Sequence, residues 1–252
     1  MKHKIDKIKN WLTNYCETSG CSGFVIGVSG GVDSALTSTL CAHTGKKVVV
    51  IGMPIYQETS QLDRSELHMD WLCENFSNVT QDTVDLSETF DAFKRASPNN
   101  SDLALANTRS RIRMIALYAA ANSSNLLVAG TGNKVEDYGL GFFTKYGDGG
   151  VDLSPIADLL KSEVREMAAA LGIPKALVNA VPTDGLWGDD RTDEDQIGAT
   201  YPELEWALER YDRVGDDKDG LSDREIEVMR IYEERHARNS HKLELPPVCI
   251  LE

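Results

Sequence analysis

Apolar residues recur at helical intervals at the start of the chain, where Ile5, Ile8, Trp11, Leu12 and Tyr15 predict an amphipathic helix. The pattern then changes to short, solid apolar runs. Phe24 to Val28 and Val48 to Met53, the second closed by Pro54, predict buried strands. Each is followed by helical spacing, over Ser34 to His43 and Gln61 to Phe76. Asn78 to Asp85 is a further strand candidate, Asp102 to Asn122 a long helix that opens on an acid, and Leu126 to Gly130 another buried strand. Strands alternating with helices predict an α/β fold, a doubly wound and mostly parallel sheet flanked by helices.

Beyond that point the pattern loses its regularity. Gly130 to Gly150 holds seven glycines with two lysines and several aromatics, too glycine-rich for a regular element and suited to facing a ligand. A helix over Ser162 to Leu171 is ended by Gly172 and Pro174, and the acidic, turn-rich stretch Asp184 to Asp195 predicts a loop or lid. Helical spacing returns at Tyr201 to Tyr211 and Ser222 to His236. Neither an internal repeat nor a boundary is visible, so residues 1–252 are expected to form a single domain.

Charge and cysteine usage narrow the partners. A formal net charge of −14 repels nucleic-acid backbones, so an anionic ligand must be met by local cations, helix N-termini or a bound metal. The five cysteines form no Cys-x-x-Cys pair and no cluster with histidine, which points to the reducing cytoplasm and away from zinc or disulfides. The N-terminus is basic but lacks a signal-peptide apolar run, and no segment approaches membrane-spanning length.

The chemistry concentrates at the first strand-to-helix turn, Gly27-Val28-Ser29-Gly30-Gly31-Val32-Asp33-Ser34. Two glycines let backbone N–H groups approach an anion, Ser29 and Ser34 add hydroxyls, and the helix start carries positive partial charge. Asp33 would repel a phosphate unless a divalent cation lies between them, which makes it a candidate Mg²⁺ ligand. The same residues would also serve as a plain glycine turn with a helix cap.

Ser29 to Ser34 after a strand resembles the pyrophosphatase-type P-loop of synthetases that cleave ATP to AMP and pyrophosphate; it lacks the Gly-Lys-Ser/Thr ending of a Walker A loop. The run Gly141 to Asp152 (GFFTKYGDGGVD), Asn107 to Met114, Pro182-Thr183-Asp184, and His241-Lys242 resemble the NAD synthetase family in the same order, over roughly residues 5–245. The resemblance implies an adenine nucleotide alpha hydrolase-like fold. It also implies a ligase of NAD biosynthesis that adenylylates deamido-NAD with ATP and replaces AMP by ammonia. Glutamine-dependent relatives carry an added amidohydrolase domain with a catalytic cysteine, and none of the five cysteines here lies in such a setting.

By that resemblance residues 27–34, Thr131, Lys161 and Thr183 bind ATP, Asp33 and Glu136 hold Mg²⁺, and Asp33 and Lys161 serve the reaction. Arg111, Lys145, Asp152, His241 and Lys242 would contact deamido-NAD, with Arg109 and Arg113 left to a solvated face. The family also implies a homodimer with shared sites, and Phe142, Phe143 and Tyr146 near the nicotinate or the interface, although aromatics there could equally be core.

Overall fold

The computed structural model describes residues 1–183, 192–215 and 217–251. The opening amphipathic stretch is helix α1 (Lys2–Thr18), which buries Leu12 and Cys16. The first two apolar runs become β1 (Gly23–Gly27) and β2 (Lys47–Gly52), followed by α2 (Val32–Ala42) and α3 (Thr59–Asn75). Next come β3 (Val79–Thr83), α4 (Ser87–Ala96), α5 (Asp102–Ser124) and the two-residue β4 (Leu127–Val128).

All pairings are parallel, in the order β3-β2-β1-β4. The central strands β1 and β2 are rich in β-branched and aromatic residues, as strands covered on both faces require, whereas edge strand β3 (VTQDT) is mostly exposed and polar. Phe24, Ile26, Val48 and Val50 pack with Leu12, Leu36 and Leu40 on one face, and Val25 and Ile51 pack with Phe90 and Ile112 on the other. Trimming a fully buried aromatic such as Phe24 to alanine would cost about 3–5 kcal/mol. With that strand order the chain reverses direction across the sheet between β1 and β4, so the loops leaving their carboxyl ends enclose a crevice, where ligands of open α/β sheets bind.

Two elements depart from the sequence expectation. Helix α4 was not anticipated, although Leu86, Phe90 and Phe93 carry its spacing; Phe90 is buried while Phe93 stays exposed. The glycine-rich segment is not wholly irregular, because Lys134–Leu140 forms a wide helical turn. Asn133 caps it by accepting from the N–H groups of Val135 and Glu136, and Gly141, at φ 63°, ends it.

The remaining helices are α6 (Lys161–Ala170), the short α7 (Lys175–Val178) and α8 (Asp193–Ile197), then α9 (Tyr201–Val214) and α10 (Asp223–Asn239). α9 and α10 bury Leu204, Leu208, Val228 and Tyr232 against Val135 and Leu140, a third apolar cluster beside the sheet. Of the predicted acidic loop, residues 184–191 lie outside the described residues, and its end forms α8. Among the described residues, no helix is long and apolar enough to cross a membrane, and all five cysteines are free thiols.

Candidate active site

The turn between β1 and α2 is held by its own side chains. Ser34 Oγ accepts from the Ser29 N–H, donates to the Gly31 carbonyl, and lies 3.2 Å from Ser29 Oγ. The Gly31 N–H in turn donates to Ser29 Oγ. Gly30 adopts φ 83°, a left-handed conformation that favours glycine, and a Cβ there would meet the Gln61 carbonyl oxygen at 2.5 Å. The loop is thereby fixed before any ligand arrives.

Below it lies a buried charge cluster assembled from distant parts of the chain. Lys161, 3% exposed at the start of α6, directs Nζ to Asp33 Oδ2 at 2.6 Å and to Glu136 Oε1 at 2.8 Å. Asn133 Nδ2 donates to the opposite oxygens of the same pair, Asp33 Oδ1 at 3.0 Å and Glu136 Oε2 at 2.7 Å. Tyr201, at the start of α9, donates its hydroxyl to Glu136 and also lies 3.2 Å from Asp193 Oδ2. Burial alone would drive the Lys161 ammonium toward neutrality, but the two carboxylates outweigh it and hold the ammonium charged well above its ordinary range. Burial, reinforced by Glu136 and Asp193, keeps the Tyr201 phenol protonated.

Asp137 borders the same space. Its carboxyl is raised well above the usual range by burial, then by Asp148, Glu136 and Asp33. It packs so tightly on Gly132 that a Cβ there would lie 1.8 Å from Asp137 Oδ2, which explains the glycine after Thr131.

The crevice widens into a cavity of about 810 Å³. Residues 27–34, Thr131, Glu136, Lys161 and Thr183 all line it, so every residue assigned to ATP or metal by resemblance borders one space. Lys242, Phe142 and Phe143 line it too. The other substrate candidates do not border it. Arg111 is exposed and donates to the Lys145 carbonyl, Lys145 Nζ donates to the His241 carbonyl at 2.6 Å, and exposed Asp152 accepts from the Val128 N–H and the Tyr118 hydroxyl. Tyr146 is 54% exposed, whereas Phe142 packs against the third apolar cluster.

The neighbours of Arg111 overturn their expected solvated face. Arg113 lines the cavity and donates to the Met53 carbonyl and to Gln57, with burial pushing it down to about 10; Arg109 lies 4.6 Å over the Phe90 ring. The sequence reading also missed Asn133 and Tyr201. A helix-cap signal, an Asn after a Gly at the end of a strand, marks Asn133; Tyr201 begins an amphipathic helix and carries no such mark.

Among the described residues, no group of three or more His, Cys, Asp or Glu could enclose a metal. Two carboxylates facing each other under an anion-binding loop nonetheless suit Mg²⁺, which is commonly held by one or two carboxylates together with substrate phosphates.

Both the sequence and the fold match known proteins. The NAD synthase family profile matches residues 4–246. The chain is 38% identical over 260 residues to an NH(3)-dependent NAD(+) synthetase of Methanosarcina mazei, covering 98% of each chain. It superposes on the NMN synthetase of Francisella tularensis with TM-score 0.88 at 30% identity, covering 99% of this chain and 98% of that one. It superposes on an NH3-dependent NAD synthetase of Campylobacter jejuni, in complex with the nitrate ion, with TM-score 0.81 at 26% identity and the same coverage.

Proposed function

This chain belongs to the NAD synthase family, and we infer that it forms NAD by ATP-dependent amidation of deamido-NAD with ammonia. The observation that carries the reading is the Asp33-Lys161-Glu136 cluster beneath the glycine turn, inside a cavity large enough for a nucleotide.

A carboxylate does not condense with ammonia at neutral pH because oxide is too poor a leaving group. Transfer of the adenylyl group of ATP to the nicotinate carboxylate replaces oxide by AMP, releasing pyrophosphate. Two anions must be brought together, so the protein contributes positioning and positive charge. We assign the loop N–H groups and the Ser29 and Ser34 hydroxyls to the phosphates, and Lys161 to the charge that develops on the departing pyrophosphate. Asp33 and Glu136 would hold Mg²⁺, which when bound offsets phosphate charge, and Asn133 and Tyr201 orient those carboxylates. Ammonia then attacks the acyl carbon and AMP leaves. No covalent enzyme intermediate is needed.

Arg111, Lys145, Asp152, His241 and Lys242 are proposed to serve the deamido-NAD end. Four of them do not border the cavity, an arrangement that suits a homodimer in which a second copy completes that end. Residues 1–252 act as one catalytic domain in this reading, and free thiols with strong net acidity suit the cytoplasm.

The assay combines the protein with MgATP, deamido-NAD and ammonium, and follows NAD, AMP and pyrophosphate. ADP and orthophosphate as products would overturn the assignment. A second reading rests on the similarity to the F. tularensis NMN synthetase, with nicotinate mononucleotide as the carboxylate substrate. The same assay with that mononucleotide, scored by kcat/KM, decides between them.

A further inference from the structure

Counted on the protein's own groups, the loop is short of positive charge for a triphosphate. Lys161 is already shared between Asp33 and Glu136, so those three groups together present one net negative charge to an incoming triphosphate. Neutral loop N–H groups do not reverse that sign. Arg64 borders the same cavity from α3, beside the turn.

Two consecutive side chains of α3 grip the turn: Ser65 Oγ donates to the Val28 carbonyl at 2.9 Å and Arg64 Nε donates to the Gly30 carbonyl at 3.1 Å. The Gly30 carbonyl and the Gly31 N–H belong to one trans peptide unit and point in opposite directions, so the Arg64 bond fixes the plane of that unit. A guanidinium carries five N–H donors and this bond uses one. Among the described residues, no carboxylate pairs with Arg64, even though Glu66 lines the same wall and acids outnumber bases 40 to 26. Arg113, also on the cavity wall, is by contrast already bonded to Met53 and Gln57.

We propose that Arg64 is a phosphate-binding residue, its Nε fixing the turn while its remaining N–H groups take the pyrophosphate portion of ATP and the released diphosphate. A planar fork suits two phosphate oxygens where an ammonium does not, which favours arginine here. The inference rests on the function proposed above.

The test is inhibition of the holoenzyme by inorganic pyrophosphate, with AMP as the comparison ligand, in wild type, Arg64→Ala, Arg64→Gln and Arg64→Lys. Removing a charge-assisted contact should weaken pyrophosphate inhibition by about tenfold or more in the Ala and Gln variants. The Lys variant should recover part of that loss, while AMP inhibition and the KM for deamido-NAD stay within about twofold of wild type, below the loss of one charged contact. Pyrophosphate inhibition unchanged in Arg64→Ala, or in Arg64→Gln should the Ala variant fail to fold, would overturn the contact. Equal weakening of AMP and pyrophosphate would reduce Arg64 to a prop for the turn. A wild-type enzyme that yields ADP and orthophosphate would instead refute the functional reading, whatever Arg64 does.

Discussion

The nucleotide end and the proposed deamido-NAD end of the site are built on opposite plans. At the turn after β1, side chains bond to side chains: Asp33, Asn133, Glu136, Lys161 and Tyr201 form a closed network in which two carboxylates share one ammonium. At the outer end, charged side chains bond mainly to backbone. Lys145 and Lys242 donate to carbonyls of residues 241, 244, 141 and 143, and Asp152 accepts from Val128. The first arrangement holds charge ready to be redirected to a ligand. The second holds the glycine-rich segment against the C-terminal residues, so substitutions there should act on substrate binding and loop order before they act on chemistry.

Lys161→Ala probes that contrast hardest. It leaves two carboxylates facing each other without their shared cation, and pyrophosphate release should fall by at least about 10²-fold. An equal fall from Lys145→Ala would abolish the distinction between the two ends. Asp33→Asn and Glu136→Gln should each slow AMP formation by about 10- to 100-fold and raise the magnesium concentration required, as titration of rate against Mg²⁺ would reveal. At the outer end, Arg111→Ala should raise the KM for deamido-NAD about tenfold while leaving the KM for ATP unchanged. A shift in the ATP value instead would move Arg111 to the other end.

Tyr201→Phe removes a single hydroxyl from Glu136. We expect a loss of about 1 kcal/mol in the network, read as a several-fold higher Mg²⁺ requirement with unaltered KM for deamido-NAD. Magnesium dependence identical to wild type would show that Tyr201 only packs.

A further prediction concerns the stability of the turn's scaffold and not the chemistry. His68 is fully buried on α3 and shares a 2.8 Å hydrogen bond with Ser38 of α2, and burial lowers it from 6.5 to about 4, partly opposed by a backbone hydrogen bond at Ala35. The folded state therefore holds the ring neutral where the unfolded chain binds a proton. Its contribution is intact above pH 6.5 and is lost as pH falls toward 4, by about 3 kcal/mol at most. Denaturant titrations of wild type and His68→Gln should diverge in slope across that window, and parallel curves would contradict the assignment.

What could be read from the sequence follows from how local each feature is. β1, the turn and α2 are contiguous, so apolar run, glycines and helix start announce themselves together. The strand after α5 was legible as an apolar run; Leu127 and Val128 pair with β1, and Ala129 still donates to the Val25 carbonyl while its other edge bridges Leu153, so the strand is short because its outer edge is met by residues 152 and 153 instead of a full strand. Asn133, Arg64 and Tyr201 could not be placed in advance. They come from three elements far apart in the chain, and only the packing of α3 and α9 brings them to the loop. The arginines of α5 misled for the opposite reason: spacing separates their faces without saying which face is covered, and α4 with its Phe90 was not foreseen.

Glu136 and Tyr201 ride on helices packed together in the third apolar cluster, while Asp33 rides on α2, which packs on the sheet. The Lys161 ammonium is thus a rivet across a seam between two bodies of packing. Prising that seam open would part the carboxylates before disturbing either body, so the pair acts as a gauge of whether the halves are seated.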